Sequence, residues 1–331
     1  MTAPARAYAA YRATGADLPF GDPARAHGVP FEGCYWRITQ PDTGVVVVAL
    51  GAVCAGPRGR WGLCTLAVHP GGFVRTTITR TAAAEPGGFG MRAEDVLRGD
   101  AAGVRAEIGA DCRLEVAFHD PLRWPRRSFG ALGAAHMVPL LGQYWQPAVL
   151  SARVTGHVRA GGGDLSLDGA VGYAEKNWGR SFPDHWWWGH AAAFGEDVSV
   201  AFAGGRVGLA VGEVAPTAVV LRLGARVMAL APPLHRTRVA LADGRWRLRT
   251  RGRGLAVDID GHAAPATALA LDVPVPAEER GEPRSRQHLA GHVALRVQRG
   301  ARLVYSGESP LAGLERGRPG VNPASRGGPP R

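Results

Sequence analysis

From Phe31 to Tyr305 the chain is written in short apolar runs, each closed by glycine, proline or aspartate. Gly33 to Thr39, the turn Gln40-Pro41-Asp42-Thr43-Gly44 and the β-branched run Val45 to Cys54 read as a hairpin. Trp61 to Val68, Phe73 to Thr81, Val104 to Ile108 and Cys112 to Phe118 continue the pattern, and in the last of these Cys112, Leu114, Val116 and Phe118 share one face. Strands at this spacing, with few segments of helical period, specify an antiparallel barrel or sandwich rather than βαβ units. The alternation lapses between Pro121 and Pro147, where an irregular crossover and the domain junction are expected. It resumes with Ala148 to Val158, Leu165 to Val171, Val198 to Phe202, Val207 to Val214 and further strands up to Tyr305. The fold class is all-β. The expected division is an irregular lead-in over 1–30, with at most a helical turn or two from Ala5 to Ala13, then β-domains over 31–145 and 146–315. Residues 274–287 read as a surface loop, and 316–331 as a disordered Gly/Pro/Arg tail.

The formal net charge of +11 raises the question of a nucleic-acid partner. Many arginines alternate with apolar residues, as in Arg245-Trp246-Arg247-Leu248-Arg249, which places them on a solvated strand face rather than along a phosphate track. No nucleic-acid partner is expected. The excess charge does suit peripheral contact with anionic lipid if the substrate is lipophilic. Cys34, Cys54, Cys64 and Cys112 lack CxxC spacing and read as buried free thiols. His185 and His190, and His288 and His292, are spaced poorly for metal ligation on strands, so neither metal nor cofactor is expected. With neither a secretory signal nor an apolar run of membrane-spanning length, a cytoplasmic protein follows, possible contact being at the inner membrane face. Oligomeric state is not legible.

No GxSxG, HExxH, P-loop or dinucleotide fingerprint is present. The chemistry concentrates instead in residues 172–190, which hold the chain's only lysine, Lys176, with Asn177 and four of the nine tryptophans. On an extended strand Glu175 and Asn177 face one side, Lys176 and Trp178 the other. If the Glu175 side looks into an apolar barrel, desolvation raises its pKa and leaves a neutral acid able to donate a proton near pH 7. Tryptophan faces nearby would stabilise a positive centre on a ligand. That combination suits protonation of an alkene. The alternative reading is structural: Glu175 and Lys176 form ion pairs elsewhere, and the tryptophans plug the junction of two barrels.

Tyr173-Ala174-Glu175-Lys176-Asn177-Trp178-Gly179, Phe182-Pro183 and the Trp186 to Trp188 run resemble the signature of the tocopherol cyclase family. Phe31-Glu32-Gly33-Cys34-Tyr35-Trp36-Arg37 is similar to that family's N-terminal element, with Cys34 in place of an aromatic. Gln143-Tyr144-Trp145-Gln146-Pro147 and Ser306 to Glu315 also resemble family segments. The resemblance implies two lipocalin-like antiparallel β-barrels packed against each other, as in carotenoid hydratases and some polyketide cyclases. It implies acid-initiated cyclisation of a prenylated quinol or related polyene, with no cofactor. Its alternatives are an alkene hydratase of the hydroxyneurosporene synthase type, a lipocalin-like polyketide cyclase, or a non-catalytic carrier of a hydrophobic ligand. On this reading Glu175 or Asp184 is the acid, and Lys176 and Asn177 orient the reacting hydroxyl or tune the acid. Trp178, Trp186, Trp188, Tyr173 and Trp145 line the pocket, with Glu32 and Tyr35 as further candidates.

Overall fold

The computed structural model describes residues 2–195, 197–209 and 212–318. Among these, two large antiparallel sheets carry nearly all the regular structure. The first has twelve strands, ordered Phe73–Thr79, Gly59–His69, Val45–Gly56, Phe31–Gln40, Val171–Gly179, Gln143–Ala160, Cys112–Arg123, Gly103–Glu107, Leu97–Asp100, Gly90–Ala93 and Ala83–Ala84, with Gly163–Ser166 beside Gln143–Ala160. The second has ten, ordered Arg226–Leu230, Thr217–Leu223, Val198–Gly205, Trp186–Ala191, Arg302–Gly317, Arg280–Arg299, Leu255–His262, Arg245–Gly252 and Arg236–Ala242, with Leu269–Val275 beside Arg280–Arg299. Each sheet curls into a lipocalin-like barrel around its own core, and the two barrels pack against each other. No helix of the described residues is long and apolar enough to cross a membrane.

The packing explains why some strands alternate and others do not. In Val45-Val46-Val47-Val48, Val45 and Val47 join Trp36, Ile38 and Leu66 inside the first barrel. Val46 and Val48 face the other way and join Tyr35, Trp145, Tyr173 and Trp188 in a cluster between the barrels. A strand buried on both faces has no polar side to write. Cys112–Arg123 borders solvent and therefore alternates. The same holds for Arg245–Gly252, where Trp246 and Leu248 point inward while Arg247 and Arg249 pair outside with Asp260.

Several sequence expectations are corrected. Strands Gln143–Ala160 and Val171–Gly179 both pair within the first sheet, so the change of sheet falls between Gly179 and Trp186 rather than at 145/146. Residues 280–287 are not loop but the start of the long strand Arg280–Arg299. Val207–Leu209 and Gly212–Val214 form a small separate hairpin instead of one strand. Arg316 and Gly317 end the last strand, and 319–331 of the expected tail lie outside the described residues. The four cysteines are buried free thiols, as expected.

The lead-in is more ordered than its sequence implies. An alanine-rich helix spans Ala3–Arg12, with Pro4 tolerated in the first turn. Beyond it Asp17 is fully buried, ion-paired to Arg12 and accepting 2.7 Å from the Tyr8 hydroxyl. Residues 15–29 then cover the end of the first barrel. Here Trp178 stacks between His27 at 4.7 Å and His136 at 5.6 Å, and its indole N–H donates to the Gly15 carbonyl. Lys176 lies below, its Nζ 2.6 Å from Glu32, with both side chains 1% exposed. Lys176 also donates to the Arg25 carbonyl, while Glu32 accepts from the amides of His27 and Gly28 at 3.0 and 2.9 Å. Burial pushes the Glu32 carboxyl up, but Lys176 beside it and the two amides bring it below its ordinary value. The pair is a staple between the barrel and the N-terminal segment. Removing one partner leaves a buried charge uncompensated. Lys176→Met is therefore expected to lower stability by about 3–5 kcal/mol and to expose the chain near Arg25 to trypsin. Urea unfolding and limited proteolysis measure both, and an unchanged midpoint with an uncut N-terminus would contradict the staple.

Candidate active site

Strand Val171–Gly179 lies between Phe31–Gln40 and Gln143–Ala160, and antiparallel register puts directly opposed residues on the same face. Tyr35, Glu175 and Pro147 form one such row, and Gly33, Asn177 and Trp145 the next. Both rows face away from the interior of the first barrel, toward the second sheet. From that sheet Trp186 and Trp188 project into the same space, whereas Trp187 borders it and packs into the second barrel's core. The rows and the two indoles enclose a cavity of about 520 Å³. It lies in the seam between the barrels, not inside one of them.

Local sequence choices make room for these side chains. A Cβ at Gly33 would approach Asn177 Oδ1 to 2.4 Å, so only glycine leaves space for the amide across the strand pair. A Cβ at Gly317 would fall within the Trp186 ring, so that indole lies against bare backbone of the last strand.

Glu175 is 3% exposed and pairs with no cation among the described residues. Three donors converge on its Oε2: the Tyr173 hydroxyl at 2.5 Å, Trp145 Nε1 at 2.7 Å and Trp188 Nε1 at 2.9 Å. Among the described residues nothing donates to Oε1. Burial raises the pKa of this carboxyl strongly, the three donors pull it partly back, and the negative charge of Glu315 raises it again, leaving it at about 7. With Oε2 saturated by donors, the proton belongs on Oε1. The arrangement is a buried carboxyl at the wall of an aromatic-lined cavity, protonated below about pH 7 and ionised above it.

A second carboxyl, unmarked in the sequence reading, lies in the same cavity. Glu315 accepts from Trp186 Nε1 at 2.6 Å on one oxygen and from Gln287 Nε2 at 3.1 Å on the other. Burial raises its pKa, and the donors Trp186, Ser285 and Gln287 oppose that rise. Gln287 Oε1 is buried without a partner, so this wall carries unused polar capacity. The Gln287 amide also stands 3.4 Å from the Tyr35 hydroxyl, and Tyr35 packs edge-on to Trp188 at 5.0 Å. Glu315 fell within a segment resembling the family, but nothing local distinguishes it from a strand-end glutamate. Ser285 and Gln287 were hidden by the expected loop.

The sequence-predicted residues divide cleanly. Glu175, Asn177, Tyr35, Trp145, Trp186 and Trp188 line the cavity. Tyr173 stands behind Glu175 and stacks on the buried His190 at 3.8 Å. Glu32, Lys176 and Trp178 are on the opposite face and belong to the staple, so they do not reach the cavity. Asp184 is at the mouth with its side chain 84% exposed and Arg284 at 3.9 Å, which leaves it in water. Among the described residues no three His, Cys, Asp or Glu side chains converge as a metal site.

A model of the tocopherol cyclase-like family matches residues 90–318. The chain belongs to the tocopherol cyclase-like family. A segment of 76 residues is 34% identical to the chloroplastic tocopherol cyclase of Zea mays, covering 22% of this chain and 16% of that protein. The chain is also similar in fold to kievitone hydratase from Nectria haematococca, with a TM-score of 0.54 and 9% identity over 92% of this chain and 93% of that one. CghA, solved with Sch210972, gives a TM-score of 0.60 and 12% identity over 87% and 88%. At such identities the likeness is one of fold.

The three donors to Glu175 all favour its ionised form, so removing one raises its pKa. Tyr173→Phe is expected to move the titration upward by about one pH unit from about 7. The carboxyl C=O infrared band followed against pH measures this, and a downward movement would contradict the assigned geometry.

Proposed function

We propose that this member of the tocopherol cyclase-like family protonates an alkene of an isoprenoid or polyene substrate, with Glu175 as the acid, and so initiates cyclisation or hydration. The observation that supports it is the uneven hydrogen bonding of Glu175, with three donors on one oxygen and, among the described residues, none on the other. In the proposed step the alkene π pair takes the proton from Oε1, leaving a tertiary carbocation and a carboxylate. The new carboxylate is met at once by the three donors already in place, which is electrostatic preorganisation for the charge that develops. The cation is held among the indole and phenol faces of Trp145, Trp186, Trp188 and Tyr35, each worth roughly 1–2 kcal/mol where water is excluded.

The cation is quenched by oxygen. If the oxygen is the substrate's own hydroxyl, a ring closes and the reaction is an isomerisation; if it is water, the reaction is a hydration. Either way the oxygen forms a C–O bond and sheds one proton. Glu315, with a hydrogen bond already on each oxygen, is the group proposed to receive it, and Asn177 to orient the oxygen. Exchange with solvent at the mouth then takes the proton from Glu315 and returns Glu175 to its acid form. A prenylated quinol satisfies both ends of this cavity, its chain against the aromatic wall and its hydroxyl toward Ser285, Gln287 and Glu315.

Glu175→Gln keeps an oxygen for the three donors but has no proton to give. It is expected to fold and bind a prenyl quinol while turnover falls about 10²–10⁴-fold. Incubation of the wild type with that quinol in deuterated water should place deuterium on product carbon. Because the reactive form is protonated, kcat is expected to fall as pH rises through about 7. Binding without deuterium incorporation would leave a carrier instead of an enzyme.

A further inference from the structure

Beside the cavity mouth the surface is apolar where a water-facing loop should be polar. Phe20 is 64% exposed, Leu140 54%, Leu18 50%, and Phe129 and Val138 46% each. They lie on two segments of chain that meet. Phe20 stacks on Phe129 with ring centroids 5.6 Å apart. The Leu140 amide donates to the Thr14 carbonyl, the Asp17 amide to the His136 carbonyl, and the Tyr11 hydroxyl to the Met137 carbonyl, so the two segments that carry the patch are laced together. Leu140 has φ 64°, a left-handed conformation that favours glycine or asparagine, yet the position holds a large apolar side chain turned to solvent.

Two further observations say what covers the patch. The segment that carries Phe129, Val138 and Leu140 also supplies Leu132, Ala135 and Leu141 to the cavity lining, so the patch and the cavity are two sides of one loop. The run 123–142 contains Arg123, Arg126 and Arg127, all exposed, and no aspartate or glutamate. Arg180 is exposed just past the end of strand Val171–Gly179. Asp17, the nearest buried acid, is already committed to Arg12, which leaves Asp22 as the exposed acid adjoining Phe20. Large exposed apolar side chains with exposed arginines in the same segment match the interfacial zone of an anionic bilayer, where the rings enter the acyl boundary and the guanidinium groups meet phosphate.

We propose that this face, formed by Leu18, Phe20, Phe129, Val138 and Leu140 with Arg123, Arg126 and Arg127, is a docking surface for an anionic lipid bilayer. Docked there, the loop sets the seam beside the membrane, so a lipophilic ligand passes from bilayer to cavity with little exposure to water. The inference concerns binding to lipid and stands whether the cavity performs cyclisation, hydration or transport.

The test is co-sedimentation of the full chain with vesicles of phosphatidylcholine, with and without phosphatidylserine. Binding is expected to need phosphatidylserine and to weaken as ionic strength rises from about 0.1 M to about 1 M. The variant Phe20→Ser/Phe129→Ser/Leu140→Ser is expected to lose at least tenfold in partitioning, while Arg126→Gln and Arg127→Gln lose about fivefold each. Since every replaced side chain is exposed, circular dichroism and thermal melting should match the wild type, which separates lost docking from lost folding. If the triple variant misfolds, the two arginine variants carry the same test. The proposal is overturned if the wild type stays in the supernatant, if the variants bind equally well, or if light scattering shows that the patch instead holds two copies of the chain together.

Discussion

A carboxyl group taken out of water without a cation beside it is the condition that the seam is built to satisfy. Glu175 has indole and phenol donors where an arginine or lysine would ordinarily stand. An ammonium is available one residue away in the chain, but the pleat sends Lys176 to the opposite face, where it is held by Glu32. A slip of one residue in the pairing with Phe31–Gln40 would exchange the two: Lys176 would enter the seam and Glu175 the barrel interior. Arg37 reaches the same inter-barrel layer, yet its guanidinium is taken up by the carbonyls of Leu289 and Leu311. The acid is thus kept from its natural partners by strand geometry on one side and backbone carbonyls on the other.

Such an arrangement is unfavourable to the fold at neutral pH. The folded carboxyl titrates at about 7 against an ordinary 4.5, so between these values the folded state holds a proton that the unfolded chain has lost. Stability through this group therefore falls as pH rises from about 4.5 to about 7, and the penalty is fully present above that. The staple acts in the opposite sense. Glu32 is held below its ordinary value, so its contribution is present above the unfolded pKa and is lost as pH falls through the folded one. Two paired strands thus carry, on opposite faces, one carboxyl that favours folding at neutral pH, Glu32, and one that opposes it, Glu175.

Much of this was legible in the chain. Turn chemistry and alternation gave the β class, and the pleat argument correctly separated Glu175 and Asn177 from Lys176 and Trp178. What alternation does not encode is the partner of a strand. Val171–Gly179 reads as a strand in either barrel, and only its register with Phe31–Gln40 assigns it to the first. For the same reason the faces were identified but not their destinations: the Lys176 side meets the barrel interior, and the Glu175 side leaves it. The rarity of lysine signalled a constrained position without saying whether the constraint was chemical or structural. Glu315 was illegible because its neighbours in space, Trp186, Ser285 and Gln287, are scattered over the second half of the sequence.

The placement of the cavity follows from how completely each barrel is filled. Trp36, Ile38 and Leu66 occupy the first interior, and Trp187, Phe202 and Trp246 the second, so neither is free to hold a ligand. The hollow instead arises where two convex sheets meet, and its walls come from both. Glu175, Tyr173 and Trp145 belong to the first sheet, whereas Trp188, which completes the donor set, and Glu315, which raises the carboxyl further, belong to the second. Were the barrels to part, water would reach Glu175, the charged form would be solvated, and the carboxyl would return toward its ordinary range. Acid strength is accordingly a property of the docked pair. A substitution that loosens Val46, Val48, Leu150 or Leu289 in the layer between the barrels would act on the chemistry without touching the ligand.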